Sequence, residues 1–438
     1  GLPPFPLSYL SGTPQSTSEL SGEEVVAVLE KYLNAVAVVP DVESCDAFSR
    51  FFEISAASYL PGLGPKLMEG PLELVKGRGA PSCVPPAICA CVCGKRGQRH
   101  RWFVLRSSFL LSLSSPRELD VRGVLLFGRD SKVRRMDGAR RALLIEGSTG
   151  RFVLRAPDKV VFKRWLAAIK QAVEGSPFTH ANPFESYAPP RERCYARWFS
   201  SGCAYFDAVA NALDQAKDTI FIAGWFISPE VHLKRLTDTD MDGRWRLDKL
   251  LQRKAREGVQ IFVLLYHEVS VALPNGSAHA DRVLSALHSN ITVVRAPLRT
   301  LATGGGQLFW AHHEKVVIID HGVRGALVGG IDLAFGRWDT ARHLLCDAGG
   351  VSGRILWEGK DYCNEASHLT SPVSVPDEDH MDRSKECRLP WHDFALELHG
   401  AIATDIARHF IQRWNFRKQT CPAKVPYLIP SETLPPHS

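Results

Sequence analysis

The alternation of apolar and polar positions divides the chain into parts with different periods. Short β-branched and aromatic runs lie at 100–113 and at 142–154, each around a polar turn, and they predict two β-hairpins. A helical period over 159–173 follows, with Trp165 on its apolar face. This part of the chain is therefore predicted to consist of strands closed by one helix.

Beyond residue 193, helical periods alternate with continuous apolar runs. Helices are predicted at 206–217, 247–257, 282–288 and 402–416, and strands at 219–226, 259–266, 291–295 and 316–319. This alternation predicts a mixed or parallel sheet flanked by helices, with a site near the strand ends.

The N-terminal part shows helical periods. An amphipathic helix is predicted over 22–33, with Ser21 as its cap, and a second helix over 44–58. Pro and Gly residues at 61–65 break the chain, and a Pro-rich linker covers 183–190. These breaks separate three folded parts.

Length and composition agree with several domains, since the chain has 438 residues, 45% of them hydrophobic. No apolar run approaches the ~20 residues of a membrane span, so a soluble or peripheral protein in the cytoplasm is expected. The 11 Cys residues form no evenly spaced frame, which favours reduced thiols.

The net charge of +6 conceals a strong asymmetry. Residues 76–170 contain 21 Lys and Arg against 6 Asp and Glu. Such a basic region indicates an anionic partner, either lipid headgroups or nucleic acid, although a solvated basic face would look the same.

The candidate chemistry lies at the start of the strand predicted over 316–319. Side chains two positions apart share a face of a strand, so His313 and Lys315 point the same way. An imidazole can act as nucleophile or proton carrier near neutral pH, and an ammonium can hold phosphate oxygens. This pair predicts a phosphate site, while a buried strand with a solvated polar end is the alternative.

Asp320 has the opposite parity, and it is expected on the other face or in the turn. A carboxylate further along the chain is the better candidate to orient His313. Candidates are Asp332, Asp339 and Asp347.

The pattern H-x-K-x-x-x-x-D at 313–320, followed by Gly329 and Gly330, resembles the signature of the phospholipase D superfamily. Further segments resemble the eukaryotic phospholipases D that carry phox-homology (PX) and pleckstrin-homology (PH) domains. These segments are 225–231, where Phe226 replaces a Trp of the family, 332–339, 390–393 and 408–416.

The resemblance implies a multidomain fold. Residues 1–60 would be the C-terminal helical part of a PX domain, 61–176 a β-rich PH domain, 177–192 a linker, and 193–438 the first half of an α/β catalytic domain with a mixed sheet flanked by helices. Members of the family build one active site from two copies of the motif. The second half is therefore expected to follow Ser438 in a longer protein, because the other H-x-K match, His232 and Lys234, lacks the Asp and the Gly pair.

The activity implied by the resemblance is hydrolysis of phosphatidylcholine to phosphatidic acid and choline through a phosphohistidine. His313 would be the catalytic imidazole, Lys315 would hold phosphate oxygens, and Asp320 would support the local structure. No metal or other cofactor is implied, and phosphatidylinositol bisphosphate is the expected activator.

The resemblance also implies partners and a location. The chain would lie peripherally on a phospholipid membrane, the plasma membrane or endomembranes, with small GTPases and protein kinases as regulators and no nucleic acid. Phosphoinositides are expected to bind Arg408, Arg413, Arg417 and Lys418, and in the PH-like part Lys95, Arg96, Arg99 and Arg101. Helix-dipole complementarity is the alternative for the first group. Palmitoylation is expected at Cys89, Cys91 and Cys93, with an inert loop as the alternative.

Two other functions stay open. The chain could be a catalytically incomplete fragment that binds phosphoinositides and membranes. It could also be a single-motif phosphodiesterase that completes its site as a homodimer.

Overall fold

The computed structural model describes residues 22–37, 51–60, 62–77, 99–136, 139–236, 243–268, 275–296, 311–347, 355–362, 377–379 and 381–432. Two compact units emerge, with the main boundary between Thr179 and His180. The short segments 62–64 and 148–150 are grouped with the second unit.

The N-terminal helix predicted from residue 22 is present as α1, Gly22–Ala37. Of the second predicted helix, residues 44–50 lie outside the description, and the rest does not form a continuous helix. Ser55 is extended and Ala56–Tyr59 form a short 3-10 helix. The reason is the buried carboxylate of Glu69, which accepts a hydrogen bond from Ser55 Oγ (2.5 Å) and another from Trp102 Nε1 (2.9 Å).

The first unit contains a seven-stranded sheet. Its strands are β1 Lys66–Gly77, β2 Arg99–Arg106, β3 Phe109–Leu113, β4 Val121–Leu126, β5 Lys132–Arg135, β6 Ala142–Gly147 and β7 Gly150–Arg155. They follow the order β4-β3-β2-β1-β7-β6-β5, and β1 pairs antiparallel with both β2 and β7. The hairpins predicted from the sequence are β2–β3 and β6–β7.

Helix α2, Lys159–Gly175, follows this sheet and packs on its core. The carboxylate of Asp158 caps the helix by accepting from the N–H groups of Val160 and Val161. Trp165 is 1% exposed among the core side chains of the strands. The unit thus has the predicted arrangement of strands followed by one helix with a buried Trp.

The second unit contains a mixed seven-stranded sheet. Its strands are β8 Tyr195–Phe199, β9 Thr219–Gly224, β10 Gln260–Tyr266, β11 Ile291–Ala296, β12 Val316–Ile319, β13 Gly325–Gly329 and β14 Ala395–His399. The order is β11-β10-β9-β12-β13-β14-β8. Strands β9, β10 and β11 are parallel, whereas β12, β13, β14 and β8 pair antiparallel with their neighbours. The predicted mixed sheet is confirmed.

Helices cover both faces of this sheet. They are α3 Gly202–Gln215, α4 Leu247–Arg256, α5 Ser277–Leu287 and α6 Ala401–Lys418. Phe410 of α6 stacks on Phe221 of β9 with ring centroids 4.9 Å apart. Ile220 and Ile222 alternate with Phe221 and pack with α3 and α4 on the opposite face. Helix α5 begins five residues earlier than predicted because Gly276 adopts φ 64° and starts it.

The register of the sheet brings several strand ends to one edge. Val316 at the start of β12 pairs with Ala223 near the end of β9 and with Val328 near the end of β13. Val328 in turn pairs with Leu396 near the start of β14. The loops that leave these strands therefore meet at this edge.

Candidate active site

The two residues that the sequence predicts to share a face lie just before β12. The ammonium of Lys315 is 3.0 Å from Asp332 Oδ2, and both side chains are buried. The exposed His313 ring lies beside Trp225, with ring centroids 5.1 Å apart. Lys315 also faces Trp225, its Nζ 5.6 Å from the ring centroid.

Asp332 joins three of the strand ends. It follows the Gly pair after β13, and its Oδ1 accepts from the backbone N–H groups of Trp225 (3.0 Å) and Phe226 (3.1 Å) after β9. Its other oxygen neutralises Lys315 before β12. Of the three carboxylates considered from the sequence, Asp332 is the one placed beside His313 and Lys315. Asp339 pairs with Arg388, and Asp347 with Arg383.

Gly329 and Gly330 permit a close approach of the loop that precedes β14. A Cβ at Gly329 would overlap the backbone of Ala395, and one at Gly330 would overlap the carboxylate of Asp393. The N–H of Gly330 donates to the carbonyl oxygen of Phe394 (3.0 Å). Without side chains at this pair, Asp393 is held at the same edge as His313.

Arg337 adds a second buried cation. Its guanidinium carbon lies 4.0 Å from the centroid of the Trp391 ring and 5.3 Å from that of Phe226, and the residue is 4% exposed. The positive charge of Arg337 lowers the pKa of His313 and that of Lys315. The segments 225–231, 332–339 and 390–393 thus converge around these two residues.

The charges set the protonation of the candidate groups. Partial desolvation and the charge of Lys315 lower the pKa of His313, and Asp332 and Asp393 oppose this. Burial also lowers the pKa of Lys315, against the attraction of Asp332. The pKa of Asp332 is raised by burial, although Lys315 lowers it. The imidazole is therefore favoured in its neutral form, which is the nucleophilic one.

Asp320 lies at the opposite end of β12, about 16 Å along the strand from Lys315. Its carboxylate accepts from the N–H groups of 217–219 at 2.8–3.2 Å and pairs with Arg324 Nε at 2.7 Å. The geometry gives Asp320 a bracing contact between β12 and the turn before β9, away from His313.

The second H-x-K match does not form a comparable pair. Lys234 forms a salt bridge with Asp207 (3.1 Å) and lies over the Trp245 ring. The backbone of His232 forms an isolated antiparallel β-bridge with Arg246. Burial, followed by the charge of Arg235, lowers the pKa of His232 to about 4.

The basic residues predicted to bind phosphoinositides on α6 do not share one exposed face. Arg408 is 4% exposed and hydrogen-bonds Tyr187. Lys418 is buried and donates to the carbonyl of Pro422 (2.7 Å). Arg413 and Arg417 are partly exposed, one helical turn apart. Phosphoinositide binding here stays a prediction.

The predicted sites of the first unit fall largely outside the description. This holds for Lys95, Arg96, Cys89, Cys91 and Cys93, and of Arg99 only the backbone is described. Arg101 lies half-buried on β2. Among the described residues, no helix is long and apolar enough to cross a membrane.

Sequence reasoning missed Arg337 and Asp393 as parts of this edge. Both lie inside segments that resemble the family, Arg337 next to Trp338 and Asp393 two residues after Trp391, and that proximity of charge and aromatic ring was an available signal. Their convergence depends on the sheet order, which local periodicity does not encode.

Comparison with known proteins shows the family of the chain. The sequence profile of the family described as Phospholipase D matches residues 212–430. The chain is 36% identical to Phospholipase D2 of Bos taurus, over 92% of this chain and 45% of that protein, and 34% identical to Phospholipase D zeta 1 of Arabidopsis thaliana, over 95% and 39%. It therefore spans less than half the length of these relatives.

Among solved structures, a phospholipase D family member, Nuc from Salmonella typhimurium, is similar to 51% of this chain and 95% of its own, at 15% identity and a TM-score of 0.28. The profile match covers half of the chain and includes the H-x-K-x-x-x-x-D segment, and this match shows the family. The chain belongs to the phospholipase D family.

Proposed function

We propose that this chain is the first catalytic half of a phospholipase D that hydrolyses phosphatidylcholine to phosphatidic acid and choline. The observation that supports it most is that His313 and Lys315 lie together just before β12, with Asp332 Oδ2 3.0 Å from the ammonium of Lys315. A neutral imidazole beside a fixed cation is suited to attack on a phosphodiester.

The proposed reaction has two displacements at phosphorus. A ring nitrogen of His313 bonds to phosphorus, the bond to the choline oxygen breaks, and an imidazole of the second motif gives that oxygen a proton. Water then attacks phosphorus and passes a proton to the second imidazole while the phosphorus–nitrogen bond breaks. Lys315 attracts the non-bridging oxygens, whose charge grows in both steps.

Membrane recruitment is the second part of the proposal. The excess of Lys and Arg in 76–170 supports binding to anionic headgroups, phosphoinositides among them. Palmitoylation at Cys89, Cys91 and Cys93 would add an anchor to this electrostatic attraction. The whole protein would then work peripherally at a bilayer, where its substrate is.

A transphosphatidylation assay tests the proposal. The purified chain is incubated with phosphatidylcholine vesicles containing phosphatidylinositol bisphosphate and a primary alcohol, with His313→Asn as the inactive control. A phosphatidyl alcohol formed by the parent and lost in the variant supports the catalytic role of His313, and it favours the homodimer, in which two copies of this chain complete the site.

The same assay with a supplied second half covers the other case. The chain is co-expressed with the part of a relative that lies beyond the matched region. Product that requires His313 supports the first-half assignment. Vesicle binding without product in either mixture would contradict the catalytic role and leave a membrane-binding fragment.

A further inference from the structure

Glu314 stands between His313 and Lys315, and its side chain points to the opposite face of the chain. Its Oε1 accepts a hydrogen bond from His409 Nε2 (2.7 Å) and another from Arg413 Nη1 (2.8 Å). Both donors lie on α6, one helical turn apart. The carboxylate thus ties the segment before β12 to this helix.

The environment of Glu314 favours its ionised form. Burial opposes ionisation, but the hydrogen bond from His409, the nearby His312 and the charge of Arg413 outweigh it, so the pKa of Glu314 lies well below its usual range. The Nε2 of the buried His312 lies 3.6 Å from the other carboxylate oxygen. Four charged or titratable groups therefore meet on this side of the segment.

The cluster remains accessible to solutes. The side chains of His409, Arg413 and Glu314 are 38%, 31% and 27% exposed. An open groove of about 620 Å³, lined by Val316 and Ile406 among others, reaches Glu314 and His409. A polyanion attracted to α6 would meet Arg413 and Arg417 first, because Arg408 and Lys418 are buried.

Such an anion competes with Glu314, since Arg413 already donates to that carboxylate. Burial and then the like charge of Arg413 lower the pKa of Arg417, so an added negative charge would relieve repulsion between the two. Displacing Glu314 would release the peptide that carries His313 and Lys315 from α6.

We infer that Glu314 is a positioning residue that couples a polyphosphate site at Arg413 and Arg417 to the phosphate site at His313 and Lys315. This rests on the proposed function for its catalytic meaning. A polyphosphate at Arg413 takes over its hydrogen bond, frees Glu314, and changes the placement of His313. By linkage, an anion at either site changes the affinity of the other.

Calorimetric titration of the full chain with inositol 1,4,5-trisphosphate tests the competition. Glu314→Gln keeps the shape of the side chain without its charge, and it is expected to raise the affinity by about 3-fold to 10-fold. In an Arg413→Gln background the same substitution is expected to have no effect. Comparing the four chains as a double-mutant cycle removes any contribution from ligand bound elsewhere on the chain. Glu314→Asp, which keeps the charge, should resemble the parent.

A second readout tests the coupling. In a chain labelled with 15N-histidine, the ligand should shift the His313 ring resonances, assigned with His313→Asn, and this shift should be lost in Glu314→Gln. An unchanged affinity in Glu314→Gln, a gain that persists without Arg413, or His313 resonances insensitive to the ligand would each overturn the inference. Neither readout needs turnover, so the inference and the proposed function can fail separately.

Discussion

At the scale of single residues, the candidate site is governed by unequal exposure of its charges. His313 is exposed to solvent, whereas Lys315, Asp332 and Arg337 are at most 5% exposed. Separating a buried ion pair such as Lys315 and Asp332 costs about 3 kcal/mol or more, so this pair fixes the ammonium firmly. The exposed partner of the reaction is then the imidazole, whose protonation depends on its charged neighbours.

We expect Arg337→Met to raise the pKa of His313. Arg337 is one of the charges that lower this pKa, and Met has a similar length without the charge. The acid limb of any activity that uses neutral His313 should move to higher pH in the variant. Titration of 15N-labelled His313 by NMR measures the midpoint directly.

Arg324→Met is the matched control, since Arg324 pairs with Asp320 at the far end of β12. It should leave the midpoint of His313 unchanged. Equal shifts in both variants, or none in Arg337→Met, would show that Arg337 does not act on His313.

At the scale of elements, the Gly pair after β13 allows the loop before β14 to reach the site. Gly330→Ala places a Cβ against the Asp393 carboxylate, and the hydrogen bond from Gly330 to Phe394 prevents the backbone from moving aside freely. We expect a loss of about 1–3 kcal/mol in the free energy of unfolding, typical of overpacking. Urea denaturation of the parent and the variant measures it.

A double variant isolates the steric cause. In an Asp393→Ala background, Gly330→Ala should cost clearly less, because the overlapping carboxylate is gone. An equal cost in both backgrounds would mean that conformational freedom of the glycine, and not contact with Asp393, explains the loss.

The elements themselves could be predicted because their periods are local. The run from Val316 to Ile319 and the helix with Trp165 follow from spacing alone. The helix expected up to residue 58 was wrong, because Ser55 is extended and donates a hydrogen bond to Glu69, which lies beyond the Pro and Gly residues at 61–65. Similarly, Arg337 and Asp393 lie near His313 because of the strand order β9-β12-β13-β14, and this order cannot be predicted from the local sequence of any one segment.

At the scale of the whole molecule, the two units differ in their buried and half-buried histidines. In the second unit, burial lowers the pKa values of His232, His312 and His321, and that of His232 reaches about 4. Asp332 acts in the opposite direction because its pKa is raised. The described part of the first unit contains His100, which is exposed.

This difference predicts that the second unit is the acid-sensitive one. The unfolded chain binds protons on these histidines below about pH 6.5, whereas folded His232 stays neutral until about pH 4, so the free energy of unfolding falls as the pH falls through this window. One such proton contributes a slope of about 1.4 kcal/mol per pH unit. Hydrogen exchange measured between pH 7 and 4.5 should show that, as the pH is lowered, β9 to β12 lose protection at a higher pH than β1 to β4 do. His232→Gln should flatten the slope of the second unit, and a variant as steep as the parent would assign its acid sensitivity to other groups.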